Sequence, residues 1–536
     1  MKKLLLFILP VVIALASARA DVTLPALISD NMVLQHPQAA VWGKADPGEQ
    51  VTVKIAGTVA TATADGEGHW RVKLDGLKPG FVGSMTVAGN NTLTIQNVAV
   101  GDVWVGSGQS NMDMPIGPSP AGIWKPLQSV LNAEQETAAA NFPNIRMFTV
   151  PWKGSETTFN DVESNQWGQG KWEVCTPATV PLWSAVGYFF SQKLHQDLGL
   201  PIGFIRSCMG GTTCQTWTPT EVLQGDPDFK EHYYIPRQEA IRDYPQLKEK
   251  YDKELLPAWT AASESAKAAG QPIPPKPNQP APAGATHCPS TLYNGMIAGL
   301  TKYPIKGVVW YQGETDRVDA SRYRRMLPQM IGAWRKAWGQ GDFPFYIVQV
   351  ANYGEQYPYP TSSGFAEVRE AHRETALKVP NSGLAVTIDI GQAKDIHAAN
   401  KQEVGRRLAL VAEAKTYGKE IVYSGPAFAS AQFDAGNVTV TFQPGTAAGL
   451  TTQDGGPIKG FAIAGEKKVF AWADAKILPG VAGSKEAEGT VFLSCPQVAK
   501  PVAVRYGWAD NPQVNLVNQS GLPAVPFRYE GWSPNQ

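Results

Sequence analysis

The chain has 536 residues, of which 43% are hydrophobic and 18% are charged. This composition is typical of a globular protein, and the length is sufficient for about three domains. Basic and acidic residues number 47 each, so the formal charge of zero argues against a nucleic-acid partner.

The first 20 residues have the pattern of a secretory signal peptide. Lys2 and Lys3 precede an apolar run over 4–16, and Ala18-Arg19-Ala20 places small residues at a cleavage site. The run is too short to span a membrane, and no second candidate span follows it. We therefore expect an exported protein, periplasmic or extracellular, with no membrane span after the signal is removed.

Five cysteines suit an oxidising compartment without a dense disulfide framework. Cys208 and Cys214 are close enough in sequence to pair across a short loop, and the odd number leaves at least one thiol free. No cluster of Cys and His has the spacing of a zinc site.

Residues 21–100 have the pattern of a small β-sandwich domain. Runs such as 51–55 alternate apolar and polar residues, as strands with one buried face do. Clusters of Asp, Pro and Gly at 46–48, 65–68 and 78–80 predict the turns between such strands.

Between residues 101 and 420, strand-like apolar runs alternate with helical stretches. The predicted strands are 98–105, 202–207, 307–311, 345–350 and 384–390. The predicted helices include 183–198, 365–377 and one beginning after Asn400, which has the spacing of a capping box with Glu403. This alternation predicts an α/β fold, a doubly wound parallel sheet with helices on both faces.

Two segments depart from this alternation. Residues 225–285 are polar and then rich in Pro and Ala, which predicts an inserted helical excursion followed by a loop. Residues 421–536 return to short alternating runs with frequent Gly, which predicts a second β-rich region.

Residues suited to catalysis follow four of the predicted strands. In open α/β sheets, ligands bind beyond the carboxyl ends of the strands, so these positions are candidates for a site. Ser110 follows the first strand, Gly210 and Gly211 the second, Gln312 the third, and Asp395 with His397 the last. A hydroxyl, a Gly-Gly turn, an amide and an Asp/His pair are the parts of a serine hydrolase.

These residue types have complementary chemistry. A serine hydroxyl becomes a useful nucleophile when a base takes its proton, and His is the usual base near neutral pH. We expect Ser110 to be the nucleophile and His397 the base. The oxyanion of the intermediate would be bound by the N–H of Ser110, an N–H of Gly210 or Gly211, and the side-chain amide of Gln312.

The acid that orients the histidine has two candidates. Asp395 and His397 are two residues apart, so in a strand their side chains would be about 7 Å apart, too far to bond. In a turn they can meet. Asp389, at the end of its predicted strand, is the alternative.

The segments that contain these residues resemble the SGNH/GDSL hydrolase superfamily, and more closely its sialate O-acetylesterase-like branch. The similar stretches are 108–112 (GQSNM), 210–212, 310–316 (WYQGETD) and 395–407, with shorter ones at 34–43 and 521–528. The resemblance thus spans nearly all of the chain after the signal peptide. Where the superfamily usually has Asp three residues before its His, this chain has Lys394, and Gln312 stands where it usually has Asn.

The resemblance implies an SGNH-type α/β/α domain and a serine esterase that removes O-acetyl groups from a carbohydrate without a cofactor or metal. It assigns the same roles to Ser110 and His397. Gln109, Asn111 and Glu314, in the two most specific stretches, are predicted to contact the substrate. An O-acetylated sialic acid is the expected substrate, acetylated hemicellulose (xyloglucan or xylan) is the alternative, and the oligomeric state is left open.

Two other functions compete with this one. Glu314 and Asp316 could be the carboxylate pair of a glycoside hydrolase, but residues two apart on one loop are poorly placed to flank a sugar. The flanking β-rich regions could instead belong to a non-catalytic carbohydrate-binding protein. The four chemically suited strand ends would then be a coincidence.

Overall fold

The computed structural model describes residues 21–117, 130–165, 169–480 and 488–532. The predicted signal peptide, residues 1–20, lies outside these ranges. The described chain has a mixed α/β architecture, in which a central, mostly parallel sheet is flanked by β-rich regions on both sides in sequence. Within these ranges, no helix combines the length and apolar character required to cross a membrane.

The N-terminal β-rich region continues directly into the central sheet. Its strands are β1 (Val33–Gln35), β2 (Ala39–Lys44), β3 (Gln50–Ile55), β4 (Thr58–Thr63), β5 (His69–Leu74), β6 (Val82–Ala88) and β7 (Thr92–Gly108). β3 pairs with β4 and β6, β6 pairs with the first part of β7, and β2 pairs separately with β5. The second part of β7 is fully buried and is the middle strand of the central sheet. The expected boundary between residues 100 and 101 therefore falls within one strand, because a single apolar run serves both sheets.

The central sheet contains six further strands. They are β8 (Phe142–Thr149), β9 (Trp172–Cys175), β10 (Ile202–Cys208), β11 (Gly307–Tyr311), β12 (Phe345–Val348) and β13 (Ser382–Ala385). The strand order is β13-β12-β11-β7-β10-β8-β9, and every neighbouring pair is parallel except β8 with β9 at one edge. The predictions for 202–207 and 307–311 are confirmed as β10 and β11. The prediction for 384–390 is wrong beyond Ala385, because Val386 and Ile388 are buried against Val525 instead of entering a strand pair.

Helices cover both faces of the central sheet. The α-helices of the described residues are α1 (Ser110–Asp113), α2 (Ala133–Ala139), α3 (Ala185–Leu198), α4 (Thr220–Gly225), α5 (Pro227–Phe229), α6 (Ile235–Lys250), α7 (Leu256–Ala268), α8 (Ala320–Trp338), α9 (Gly364–Lys378) and α10 (Lys401–Lys415). Side chains of α3 and α10 belong to the apolar core on one face, and those of α8 and α9 to the core on the other. α6 and α7 lie in the segment where a helical insertion is predicted.

The predicted start of α10 is correct, but its capping box is only half formed. The Glu403 N–H donates to Asn400 Oδ1 at 3.1 Å, as an N-cap requires. The Glu403 carboxylate does not complete the box, because it accepts hydrogen bonds from Arg406 and Arg407.

The disulfide considered between Cys208 and Cys214 is not formed, and all five cysteines are buried free thiols. The two side chains pack into the cores on opposite faces of the sheet. Cys208 Sγ lies 3.2 Å from Asp113 Oδ1, whereas Cys214 Sγ lies 3.8 Å from Met330 Sδ. Proximity in sequence therefore does not bring the sulfur atoms together.

The C-terminal β-rich region has its own apolar core and is attached to the central sheet by a buried arginine. Its strands are β14 (Phe428–Asp434), β15 (Asn437–Phe442), β16 (Thr451–Thr452), β17 (Phe461–Ala464), β18 (Phe470–Trp472), β19 (Asp474–Leu478), β20 (Thr490–Ser494), β21 (Ala503–Tyr506), β22 (Leu516–Val517) and β23 (Phe527–Glu530). Arg369 of α9 donates to the carbonyls of Val350 and Ala351 after β12, at 2.9 and 2.8 Å. It also donates to the carbonyls of Ala509 and Asp510, at 2.6 and 2.8 Å.

Replacing Arg369 with methionine should reduce the free energy of unfolding by about 3 kcal/mol, because buried carbonyls on both sides of the junction lose a charged donor. The measurement is urea unfolding followed by tryptophan fluorescence. Lys378→Met removes an exposed ion pair with Glu374 from the same helix and should change stability by less than about 1 kcal/mol. Equal effects of the two substitutions would contradict the anchoring role of Arg369.

Candidate active site

Ser110 lies at the carboxyl end of the middle strand, immediately after a sharp turn. Gly108 ends β7 with a φ of 131°, and a Cβ there would lie 2.2 Å from the Tyr311 carbonyl oxygen of the neighbouring strand. Only glycine fits this conformation and this close approach. Ser110 begins the single turn α1, which Asp113 ties to β10 by accepting a hydrogen bond from Arg206 Nε at 3.0 Å.

His397 lies on the loop after β13 and reaches Ser110 from there. His397 Nε2 lies 2.9 Å from Ser110 Oγ, within hydrogen-bond distance. Burial, with a contribution from the nearby Lys401 ammonium, lowers the pKa of His397 below its usual value of 6.5, although Asp395 acts to raise it. The imidazole is therefore neutral at pH 7, the state in which Nε2 can accept the Ser110 proton.

Asp395 lies on the same turn as His397, whereas the alternative acid is held elsewhere. Asp395 Oδ1 accepts the backbone N–H of His397 at 2.9 Å and lies 3.4 Å from His397 Nδ1. That second distance is longer than a well-formed hydrogen bond. Asp389 instead accepts two hydrogen bonds from Arg407, at 2.6 and 2.8 Å. Asp395 thus lies next to His397, whereas Asp389 is bound to Arg407.

Asp395→Asn should lower kcat by about 10³-fold, because an amide oxygen orients His397 less firmly and gives no charge to stabilise the imidazolium. Asp389→Asn is the matched control, since its side chain binds Arg407. Steady-state hydrolysis of an aryl acetate by both purified variants checks this. A greater loss in Asp389→Asn, with both variants folded, would reverse the assignment.

The loop after β10 runs beside Ser110. A Cβ at Gly210 would lie 3.4 Å from Ser110 Cβ, so the Gly210 backbone borders the nucleophile. Gly211 has a φ of 72°. His287, an exposed residue that the sequence does not single out, contacts this loop through Nε2, 3.4 Å from the Gly210 carbonyl oxygen. The structure therefore places the Gly210 backbone beside Ser110, and the oxyanion role of Gly210 or Gly211 stays a prediction.

Gln312 lies deeper in the structure than its predicted role suggests. It is fully buried, and its Nε2 contacts the Thr212 carbonyl oxygen at 3.1 Å, Gln109 Oε1 at 3.2 Å and the Asp316 carboxylate. An amide has two hydrogens, and these three protein acceptors already compete for them. In this arrangement the Gln312 amide binds the loop that carries Gly210 and Gly211, and its donation to an oxyanion remains a prediction.

The three residues predicted to contact the substrate are all buried beneath the site. Gln109, Asn111 and Glu314 are 3%, 1% and 3% exposed. Gln109 Oε1 accepts the Gly313 N–H at 3.3 Å. Asn111 Nδ2 donates to Glu314 Oε1 at 2.5 Å. In the described structure these side chains connect the loops of the site to one another.

Lys401 is a site residue that the sequence analysis missed. Its Nζ donates to Asn111 Oδ1 at 2.5 Å, and the whole residue is buried. A signal was present, because Lys401 shares a helical face with the apolar residues Val404 and Leu408, three and seven positions later. A lysine on the apolar face of a helix indicates a buried charge.

Comparisons with known proteins agree with this geometry. A family model described as carbohydrate esterase, sialic acid-specific acetylesterase, matches residues 282–413, which include Asp395 and His397. The chain is 29% identical to the sialate O-acetylesterase of Mus musculus over 544 residues, 93% of each chain. It is 30% identical to that of Rattus norvegicus over 440 residues, 74% of each chain. A carbohydrate acetylesterase from Xanthomonas citri, known from its crystal structure, is similar with a TM-score of 0.76 and 34% identity, covering 96% of this chain and 100% of that one.

The fold, the paired serine and histidine, and these similarities define a carboxylic ester hydrolase. The chain belongs to the sialate O-acetylesterase family of carbohydrate esterases.

Proposed function

We propose that this protein is a serine esterase that removes O-acetyl groups from carbohydrates, with an O-acetylated sialic acid as its main substrate. The observation that carries the proposal is the 2.9 Å contact between His397 Nε2 and Ser110 Oγ in a chain of this family. The names of the relatives supply the substrate class. The Xanthomonas citri protein is described only as a carbohydrate acetylesterase, without a named sugar. Acetylated hemicellulose therefore stays the alternative substrate.

The proposed mechanism has two displacements. His397 Nε2 takes the proton of Ser110 as Oγ attacks the acetyl carbonyl carbon. The bond between that carbon and the sugar oxygen then breaks. The leaving sugar oxygen receives that proton from His397, which leaves an acetyl group on Ser110. Water, deprotonated by His397, attacks the acetyl-serine ester and releases acetate with the free Ser110 hydroxyl.

The surrounding groups would lower both barriers. The backbone N–H groups of Ser110 and of Gly210 or Gly211 would bind the oxyanion, each donor being worth about 3 kcal/mol. Asp395 would hold the His397 ring and stabilise its cation. Neither role requires the Gln312 amide to leave its contacts in the described structure.

We also propose that residues 101–420, with 225–285 inserted, form an SGNH-type catalytic domain. The strand order and the helices on both faces of the central sheet support this assignment. The β-sandwich-like region at 21–100 and the β-rich region at 421–536 would flank it. Export to the periplasm or the extracellular space through the signal pattern at 1–20 belongs to the same proposal.

The test is acetate release from three compounds by the mature chain. They are an aryl acetate, an O-acetylated sialic acid and acetylated xylan. Release from the aryl acetate and preferentially from the sialic acid supports the proposal, and preference for xylan selects the alternative substrate. Glycan binding without release of acetate from any of them would show a binding protein.

A further inference from the structure

A buried ammonium group lies beneath the Ser110–His397 pair and has no part in the mechanism above. Lys401 is the first residue of α10 and has no exposed surface. Its Nζ donates to Asn111 Oδ1 at 2.5 Å and lies 5.4 Å from the centre of the Tyr311 ring. Burying an ammonium group is costly unless its environment compensates, so a lysine here requires an explanation.

Asn111 connects Lys401 to the loops that carry both reacting side chains. Asn111 directly follows Ser110 in the turn α1. Its Nδ2 donates to the carbonyl oxygen of Ile396 at 3.1 Å, and Ile396 directly precedes His397. One amide thus joins the loop of the nucleophile to the loop of the base, and the Lys401 ammonium fixes which way that amide points.

Glu314, on the loop after β11, is the third buried side chain of this group, with Lys401 and Asn111. Its Oε1 accepts a second hydrogen bond from Asn111 Nδ2, at 2.5 Å. Among the residues that the structure describes, its Oε2 has no hydrogen-bond partner. Lys401 and Glu314 therefore bind opposite ends of the same amide. Their charges compensate each other in part, which makes both tolerable in the interior.

We propose that Lys401 is a positioning residue for the esterase reaction. It sets the separation of Ser110 and His397 through Asn111, and its positive charge repels the positive charge of a protonated His397. This inference rests on the proposed function, because it concerns the same serine and histidine.

The charges around His397 predict the direction in which its pKa changes when Lys401 is replaced. Asp395, on its own loop, favours the imidazolium, whereas Lys401, on α10, opposes it, and Glu314 acts on Lys401. Burial lowers the pKa of Lys401 to about 7, so the ammonium is charged in the range below pH 6.5 where His397 titrates. Removing that charge should therefore raise the pKa of His397 and move the acidic limb of the activity profile to higher pH.

The test compares Lys401→Met and Lys401→Gln with wild type, using kcat/KM for an aryl acetate from about pH 5 to 8. Both variants should move the midpoint of the acidic limb upward by about 1 pH unit, the effect of one nearby charge. Lys401→Met should also lose about tenfold in kcat at the plateau, and the glutamine, which keeps a donor for Asn111, should lose less. Lys415→Met, at an exposed position of the same helix, should leave the profile unchanged.

The outcomes separate this inference from the proposed function. An acidic limb that does not move in a folded Lys401 variant would overturn the role of the charge. If Lys401→Met does not fold, the position of the acidic limb in Lys401→Gln decides the same question. Absence of aryl acetate hydrolysis by wild type would contradict the proposed esterase itself, before any variant is compared.

Discussion

Replacing Ser110 with alanine should lower kcat for acetate release by about 10⁴-fold or more and leave the protein folded. The substitution removes Oγ, the atom that forms the bond to the acetyl carbon, and leaves His397 with nothing to activate. The oxyanion donors of the backbone remain, so a small residual rate above that of water is expected. The measurement is steady-state acetate release at saturating substrate, together with thermal unfolding to confirm the fold.

Ser84→Ala is a suitable control for this substitution, because it removes a hydroxyl at an exposed position of β6 in the N-terminal region. Its kcat should equal that of wild type. If Ser110→Ala keeps more than about one tenth of wild-type activity, Ser110 is not the nucleophile, since loss of a nucleophile has a far larger effect.

Replacing His397 with alanine should reduce kcat by a similar factor, about 10⁴-fold or more. Without Nε2 at 2.9 Å, the Ser110 hydroxyl has no base to take its proton and the departing sugar oxygen has no acid to supply one. Because both residues serve one chemical step, the double variant Ser110→Ala/His397→Ala should be no slower than the slower single variant.

The control for His397 is His69→Ala, which changes a partly exposed histidine in β5 of the N-terminal region. Full activity is expected there. Losses that multiply in the Ser110/His397 double variant would be inconsistent with a shared step and would indicate that His397 acts elsewhere in the cycle.

The sequence was most informative where local pattern decides the structure. The strand at 307–311 is a continuous apolar run and the strand at 202–207 begins with one, and burial on both faces makes such runs easy to identify. Ser110 follows β7 and His397 lies on the loop after β13, and parallel strands place their carboxyl ends at one edge of the sheet. Their meeting at 2.9 Å was thus predictable from position and residue type.

The sequence was less informative where contacts with neighbouring elements determine how a residue is placed. Val386 and Ile388 look like strand residues, but the C-terminal region buries them without a strand pair. Asn111 and Glu314 stand in the expected motifs, yet a polar residue beside a nucleophile can face either the substrate or a buried partner. The tertiary fold turns both side chains inward to each other and to Lys401.

The most direct test of the central claim is covalent labelling with a fluorophosphonate, which reacts with the activated serine of serine hydrolases. Labelled enzyme would be digested and the modified residue located by mass spectrometry, while acetate release from an O-acetylated sialic acid is measured on the same samples. The account predicts modification of Ser110, with activity falling in proportion to labelling, and no modification in His397→Ala. Complete labelling of Ser110 with undiminished acetate release, or loss of activity with label on another residue, would contradict it.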